Sequence, residues 1–176
     1  MNTRRGALFL AILALIIAAQ SLVAGTQQAG RATVTAVPCG SLRPFLPVLK
    51  DWVRGDITCD PTEDNVSRVQ VDYERGIGGL SVEIIDSAQN ANVQAPLTDL
   101  IKSKHTELRS DGYTRPTTIE GFPGIEEWTS EARNGEVHLL IGSRYMVKVR
   151  GDSVPDMDTI RWATSQIELR KLAALK

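Results

Sequence analysis

The chain has 176 residues, 42 % hydrophobic and 23 % charged, which fits one globular domain with a sizeable core. Its 20 basic and 21 acidic side chains leave a net charge of −1 at pH 7. A near-neutral chain without a basic patch has no electrostatic attraction for nucleic acid or for anionic lipid. The composition therefore excludes electrostatic binding of either one.

The first 25 residues carry the pattern of a secretory signal. Arg4 and Arg5 precede an apolar run over residues 7–19, and the small residues Ala24 and Gly25 follow. This order predicts export with removal of residues 1–25, which places the rest of the chain in the periplasm or outside the cell.

An uncleaved membrane anchor is the alternative for the same segment. Residues 6–25 are almost uniformly apolar and have about the length that a helix needs to cross a bilayer, with Arg4 and Arg5 on the cytoplasmic side. A lipid anchor is not expected, because Thr26 stands where a lipoprotein carries its lipidated cysteine. Membrane contact is therefore expected only through residues 6–25, if they are retained.

The two cysteines of the chain, Cys39 and Cys59, both follow the export segment. In an oxidising compartment a disulfide between them is the expected state. The spacing of twenty residues, without a nearby histidine, suits neither a zinc site nor a Cys-x-x-Cys redox pair. A disulfide is predicted, and two free thiols are the alternative.

Alternating apolar residues predict a β-hairpin in the middle of the chain. Val69, Val71 and Tyr73 alternate with polar residues, and the same period returns over residues 80–85. The glycine-rich segment 75–79 supplies the turn between them, because glycine adopts positive φ angles readily.

A helix and a meander are predicted next. Apolar residues at helical spacing follow Pro96 as far as Leu108, and Gly112 would cap the end of this helix. Extended segments follow at residues 117–120, 125–131, 136–141 and 145–150. Asn134-Gly135 is the favoured pair for a two-residue hairpin turn.

The C-terminal part predicts an amphipathic helix with Asp156 as its N-cap and a break near Glu168. The predicted fold class is therefore α+β: an antiparallel sheet, made of a hairpin and a three-stranded meander, with two helices packed on one face and an N-terminal signal or anchor helix in front. The predicted organisation is a signal or anchor over 1–25, a flexible stalk or loop over 26–44 and a single α+β domain over 45–176.

No residue pattern identifies a catalytic set, a metal site or a cofactor site. His105 lies among residue types that face solvent and is expected to be an exposed helix residue, and His138 is expected to pack across the strands with Trp128 or Lys148. Glu126 and Glu127 point to opposite faces of a strand, which excludes a pair of the glycosidase kind. The glycines at 76–79 join two antiparallel strands and lack the helix that a phosphate cradle requires. No cofactor is expected.

Aromatic residues offer the one candidate for a binding site. Trp128 and Tyr145, with His138 beside them, are predicted to line a ligand groove along the sheet. The alternative is that the aromatic rings fill the core between sheet and helices.

Several turn and strand segments resemble a group of small exported bacterial single-domain proteins of unknown function. The resemblance is carried by residues 73–76, 82–87, 112–113, 119–124, 135–137, 141–145 and 147–151. It implies an exported α+β domain and brings no active site with it. Cys39 and Cys59 depart from that group.

These observations predict a non-catalytic binding or accessory module of the cell envelope, whose partner is a protein or a small ligand. One alternative is a hydrolase-type enzyme with a site assembled from scattered residues. Another is a membrane-tethered subunit of a larger envelope complex. A deep pocket that holds His138 with a carboxylate would favour the enzyme, and a shallow, uncharged sheet face would favour the binding module.

Overall fold

The structure is a computed structural model that describes residues 34–176, apart from the side chains of residues 61–63. The predicted signal or anchor segment and the first part of the predicted stalk lie outside the described residues. Val34–Lys176 form one compact unit. Residues 34–44, which the sequence assigned to the stalk, therefore belong to the packed body.

One sheet and four short helices make up the described chain. The strands are β1 (Val53–Glu63), β2 (Val66–Arg75), β3 (Gly78–Asp86), β4 (Glu107–Arg109), β5 (Gly112–Ile119), β6 (Phe122–Thr129), β7 (Asn134–Ile141) and β8 (Tyr145–Asp152). The helices are α1 (Cys39–Leu42), α2 (Ala91–Lys102), α3 (Met157–Ser165) and α4 (Leu169–Ala174), and a 3-10 turn (Arg43–Phe45) follows α1.

The predicted fold class is wrong, because the molecule is mostly sheet: eight antiparallel strands replace the predicted hairpin and three-stranded meander. The predicted hairpin is confirmed as β2 and β3. β1 had no counterpart in the prediction, since the side chains of residues 53–60 are largely exposed and show no alternation of buried and exposed positions. It is an edge strand, which tolerates the proline at position 61.

The strand order is β1-β2-β3-β8-β7-β6-β5-β4. Two antiparallel meanders, β1 to β3 and β4 to β8, therefore meet where β3 pairs with β8. α2 connects β3 in the middle of the sheet to β4 at its far edge, and it packs on β6 and β7 on the way.

The core lies on one face of the sheet. Every second residue of β2, β3, β7 and β8 is buried there, as in Val71, Val82, Val137 and Val149. Apolar residues of α1, α3 and α4 complete the same cluster. Removal of this apolar surface from water is the main stabilising contribution to the fold.

Two glycines let α3 approach the sheet closely. A Cβ atom at Gly135 would lie 3.0 Å from Ile160 Cδ1, and one at Gly151 would lie 2.8 Å from the same atom. The prediction of a turn at Asn134-Gly135 is wrong, because both residues already pair with β6 as the start of β7. The turn falls at residues 130–133.

The helix expected to reach Leu108 ends at Lys102. Lys104 takes a positive φ of 51°, and the amides of Lys104 and His105 donate to the carbonyls of Ile101 and Leu100, which is a Schellman cap. Gly112 does not cap the helix but is the first residue of β5. Because glycine has no side chain, the backbone of β6 at Trp128 can lie close to it.

The predicted C-terminal helix is confirmed, with its break. The Asp156 side chain accepts a hydrogen bond from the Thr159 amide at 2.8 Å and caps α3, and the chain resumes helical structure at Leu169 as α4. Among residues 34–176 no helix combines the length and the apolar character needed to cross a bilayer.

The N-terminal arm, residues 34–38, is held by a buried carboxylate and by the disulfide that follows it. Asp86 accepts from the Val37 amide at 2.8 Å and from two nitrogens of Arg144 at 2.7 and 2.9 Å. Cys39 and Cys59 form the predicted disulfide, with their Cα atoms 5.9 Å apart. It ties α1 to edge strand β1.

Candidate functional site

α2 lies on the face of the sheet opposite the core, which corrects the prediction that both helices share one face. Asn90 caps its N-terminus by accepting from the Asn92 amide at 3.0 Å. The Gln94 amide group donates to Ser87 Oγ at 2.6 Å and to the Ser143 carbonyl at 2.8 Å. The first turns of α2 are thereby fixed to the ends of β3 and β7.

A cavity of about 380 Å³ lies between α2 and this face. We call it the α2 cavity. Its apolar walls come from both the helix and the sheet: Ile85, Val93, Pro96, Leu97, Leu100, Ile125, Met146 and Val147. Its polar lining consists of Thr114, Glu127, Glu136, His138 and Lys148. An apolar cavity with a few converging polar groups is the usual form of a small-molecule site.

Glu136 is the centre of the polar group. His138 Nε2 lies 2.6 Å from Glu136 Oε2, and Lys148 Nζ lies 3.2 Å from the same oxygen. The hydrogen bond from His138 lowers the pKa of Glu136 to about 2; burial opposes this shift and the positive charge of Lys148 adds to it. Glu136 is therefore ionised at neutral pH.

The charge of Glu136 also determines the tautomer of His138. An ionised carboxylate can only accept hydrogen bonds, so His138 Nε2 must carry the proton that it shares with Glu136. In a neutral ring Nδ1 is then the acceptor.

A second, polar depression adjoins the α2 cavity on the same sheet face. It encloses about 160 Å³ and is lined by Gln70, Ser81, Glu83, Lys148 and Arg150. We call it the polar hollow. Lys148 lines both spaces, so an apolar cavity and a hydrogen-bonding surface lie side by side.

Another depression, near the N-terminus of α3, is a weaker candidate. It has a volume of about 370 Å³ but is more open, and Trp52, Arg75 and Trp162 are among the residues around it. Arg75 already lies 4.5 Å from the centre of the Trp52 ring and covers that surface. The α2 cavity is more enclosed and more apolar, and we take it as the candidate site.

The three residues predicted to line a groove do not share a face. A Cβ atom at Gly135 would meet both the Trp128 ring and Ile160 of α3, so the Trp128 ring lies on the α3 side of the sheet. The Tyr145 hydroxyl donates to the Leu175 carbonyl at 3.1 Å, which places the Tyr145 ring on that side too, next to the end of α4. His138 lies on the opposite side, in the α2 cavity. The structure brings His138 together with Glu136 and Lys148 instead.

The sequence contained one signal for this cluster. Glu136, His138 and Lys148 are among the polar residues of the alternating strands β7 and β8, and this alternation places them opposite the core. Polar residues in such positions usually face water. Only the position of α2 converts them into the lining of a cavity.

Glu126 and Glu127 point to opposite faces, as predicted. Glu127 lines the α2 cavity and pairs with Arg109 at 3.0 Å, while Glu126 is buried on the core side between Arg115 and Arg161. Among the side chains that the structure describes, which leave out those of residues 61–63, no group of three or more His, Cys, Asp or Glu is arranged to hold a metal ion.

Comparison with protein-family models, with curated proteins and with solved structures finds no match to this chain. The resemblance to small exported bacterial proteins therefore stays a prediction. Any function has to be argued from the α2 cavity and its surroundings.

Proposed function

We propose that this protein is an exported, non-catalytic module that binds a small ligand with an apolar body in the α2 cavity. The observation that supports this proposal is the mainly apolar, partly open cavity of about 380 Å³ between α2 and the sheet. Its size falls within the range of about 300–1,000 Å³ in which ligand pockets are found. Leu97 and Ile125 form buried parts of its walls.

Burial of the ligand's apolar surface supplies the affinity. Each methylene group removed from water contributes about 0.8 kcal/mol, which is about a fourfold change in Kd. In a series of straight-chain alcohols the affinity should therefore rise by up to this factor per carbon, until the cavity is full. Isothermal titration calorimetry measures this dependence.

A variant that fills the cavity tests the location of binding. Val93 is a half-buried wall residue of α2, and Val93→Trp should weaken octanol binding at least tenfold. Leu108→Trp, at a residue of β4 that is 80 % exposed, serves as the matched control and should bind as the unaltered protein does. Equal affinity in the Val93→Trp variant, or no binding of any alcohol, would refute the proposal.

Export is the second part of the proposal. A disulfide persists in oxidising compartments and is rare in the cytosol, so the Cys39–Cys59 bond supports a location outside the cytoplasm. With a cleaved signal, N-terminal sequencing of the exported protein should begin near Thr26. Recovery of Met1 would instead support the anchored subunit.

A hydrolase is the second candidate, because a cavity that holds His138 with a carboxylate was the feature expected to favour an enzyme. His138 Nδ1 would take a proton from water while the hydroxide adds to an ester carbonyl, and the alcohol would leave with a proton. Thr114 carries the one hydroxyl among the described lining residues, and it already accepts from Arg109 at 3.3 Å. This leaves direct attack by water as the only hydrolytic route, whereas binding requires no more than the apolar cavity itself, and we therefore propose binding first.

Hydrolysis of p-nitrophenyl octanoate separates the two candidates. If the protein only binds its ligand, the unaltered protein and the His138→Asn variant should hydrolyse the ester at the same background rate. Both should still bind octanol. Turnover that His138→Asn abolishes without loss of octanol binding would establish the enzyme.

A further inference from the structure

The polar hollow adjoins the α2 cavity on the same sheet face, and Lys148 lies between them. Lys148 lines both spaces, and its neighbours across the strands, His138 and Glu83, belong to the cavity and the hollow respectively. A molecule with its apolar body under α2 can therefore place its polar end over Ser81 and Glu83. The two spaces together match an amphiphile.

The charges around the hollow are already matched within the protein. Lys148 pairs with Glu136 at 3.2 Å, and Arg150 pairs with Asp152 at 3.0 Å and approaches Glu136 at 3.8 Å. Glu83 lies 4.0 Å from Arg68. Three basic and three acidic side chains thus compensate one another over this surface.

This balance disfavours a charged head group. An anion would have to draw Lys148 or Arg150 away from their carboxylates, and it would meet Glu83. A cation would meet Lys148 and Arg150 in turn. In both cases the ligand breaks an existing ion pair to form a new one, and little free energy is gained.

An uncharged head group with several hydroxyls avoids that exchange. Hydroxyl groups both donate and accept, so they can bond Lys148 and Arg150 as acceptors and Glu83 as donors while the ion pairs stay formed. Ser81 and Gln70 add uncharged partners on the same surface. Hydrogen bonds to charged groups are stronger than those between neutral groups.

We infer that the ligand of the α2 cavity is an amphiphile with an uncharged, polyhydroxylated head group, which the polar hollow binds through Ser81, Glu83, Lys148 and Arg150. This inference rests on the proposed function, since it concerns the polar end of the same ligand. It adds the class of head group.

Five octyl compounds with one common tail test the inference: octyl glucoside, octanol, octanoate, octylammonium and octylphosphocholine, each below its micellar concentration. Octyl glucoside should bind at least tenfold tighter than the other four in calorimetric titrations. Equal or tighter binding of octanoate, octylammonium or octylphosphocholine would overturn the inference. Failure of all five to bind would refute the proposed function itself.

A blocking variant tests the place of the head group. Ser81 lies on the half-exposed sheet face, and Ser81→Trp should fill the polar hollow and leave the α2 cavity open. Octyl glucoside affinity should then fall to that of octanol, while octanol binding stays unchanged. Ser165→Trp, at an exposed residue of α3 on the other side of the sheet, is the control. An undiminished preference for octyl glucoside in Ser81→Trp would refute this assignment.

Discussion

Two glutamates on neighbouring strands show how partners determine the state of a carboxylate. Glu126 is 1 % exposed, and although burial raises its pKa, hydrogen bonds from Arg161 and Arg115 outweigh this effect and lower it. Glu136 faces the other side, and the hydrogen bond from His138 is the main cause of its lowered pKa. Glu126 joins α3 to the sheet, whereas Glu136 organises the polar side of the α2 cavity.

The lowered pKa of Glu136 predicts a pH-dependent part of the stability. A carboxylate with a pKa of about 2 in the folded state and 4.5 as its ordinary value stabilises the fold above pH 4.5, and this contribution is lost as the pH falls towards 2. Glu136→Gln should therefore be less stable than the unaltered protein at pH 6, and the difference should shrink steadily between pH 4.5 and 2. Urea unfolding at several pH values measures it.

Glu131→Gln provides the comparison for this titration. Glu131 is an exposed residue of the turn between β6 and β7, and its replacement should change the unfolding free energy little at any pH. A difference between the unaltered protein and Glu136→Gln that is independent of pH would contradict the prediction.

At the scale of elements, α1 depends on its covalent link. A helix of four residues is not stable alone, and Leu42 packs into the core while Cys39 joins it to Cys59 of β1. β1 pairs with β2 along one side only, and its register shifts twice along that pairing. The disulfide therefore connects a helix of one turn to an edge strand that is paired on one side only.

Removal of the disulfide should destabilise the protein by about 3 kcal/mol, the value that chain entropy predicts for a closed loop of about twenty residues. The test is guanidinium unfolding of the double variant Cys39→Ser with Cys59→Ser. A reductant should lower the stability of the unaltered protein by the same amount and should leave the variant unchanged. Equal stability of the oxidised and reduced protein would contradict this prediction.

At the scale of the molecule, the sheet and the N-terminal arm form a single packed body. Asn65, at the turn between β1 and β2, accepts from the Ala36 amide at 2.8 Å, and Arg144 donates to the Thr35 carbonyl at 3.0 Å. The arm therefore contacts the ends of both meanders. The compact unit begins at Val34 instead of residue 45.

This boundary predicts the effect of truncation. A chain that starts at Phe45, with Cys59→Ser, should be less stable than a chain that starts at Thr26 with both cysteines replaced by serine. Both chains lack the disulfide, and the truncated chain also lacks buried Leu42 and the hydrogen bond between Asp86 and the Val37 amide. Burial of Leu42 alone contributes about 1.5–3 kcal/mol. Equal urea midpoints would show that residues 34–44 act as the stalk that the sequence suggested.

Much of the sheet could be predicted because its signals are local. The alternation in β2, β3, β7 and β8, the Asp156 cap and the break near Glu168 all depend on neighbours in sequence. β1 and β4 could not be predicted, since edge strands bury little and leave no periodic pattern. The end of α2 was misplaced because Lys104, a non-glycine residue, takes the left-handed cap position.

The sequence by itself determined which residues of each strand share a face, where the C-terminal helices begin, and that Cys39 and Cys59 are suited to pair. Those properties follow from the two-residue period of a strand, from side chains near helix ends and from cysteine chemistry. The tertiary structure alone decided that β3 pairs with β8 and that α2 covers the face opposite the core. A period shows that a strand has two faces but contains no information about which distant element packs on either one, so the cavity around His138 exists only in the folded chain.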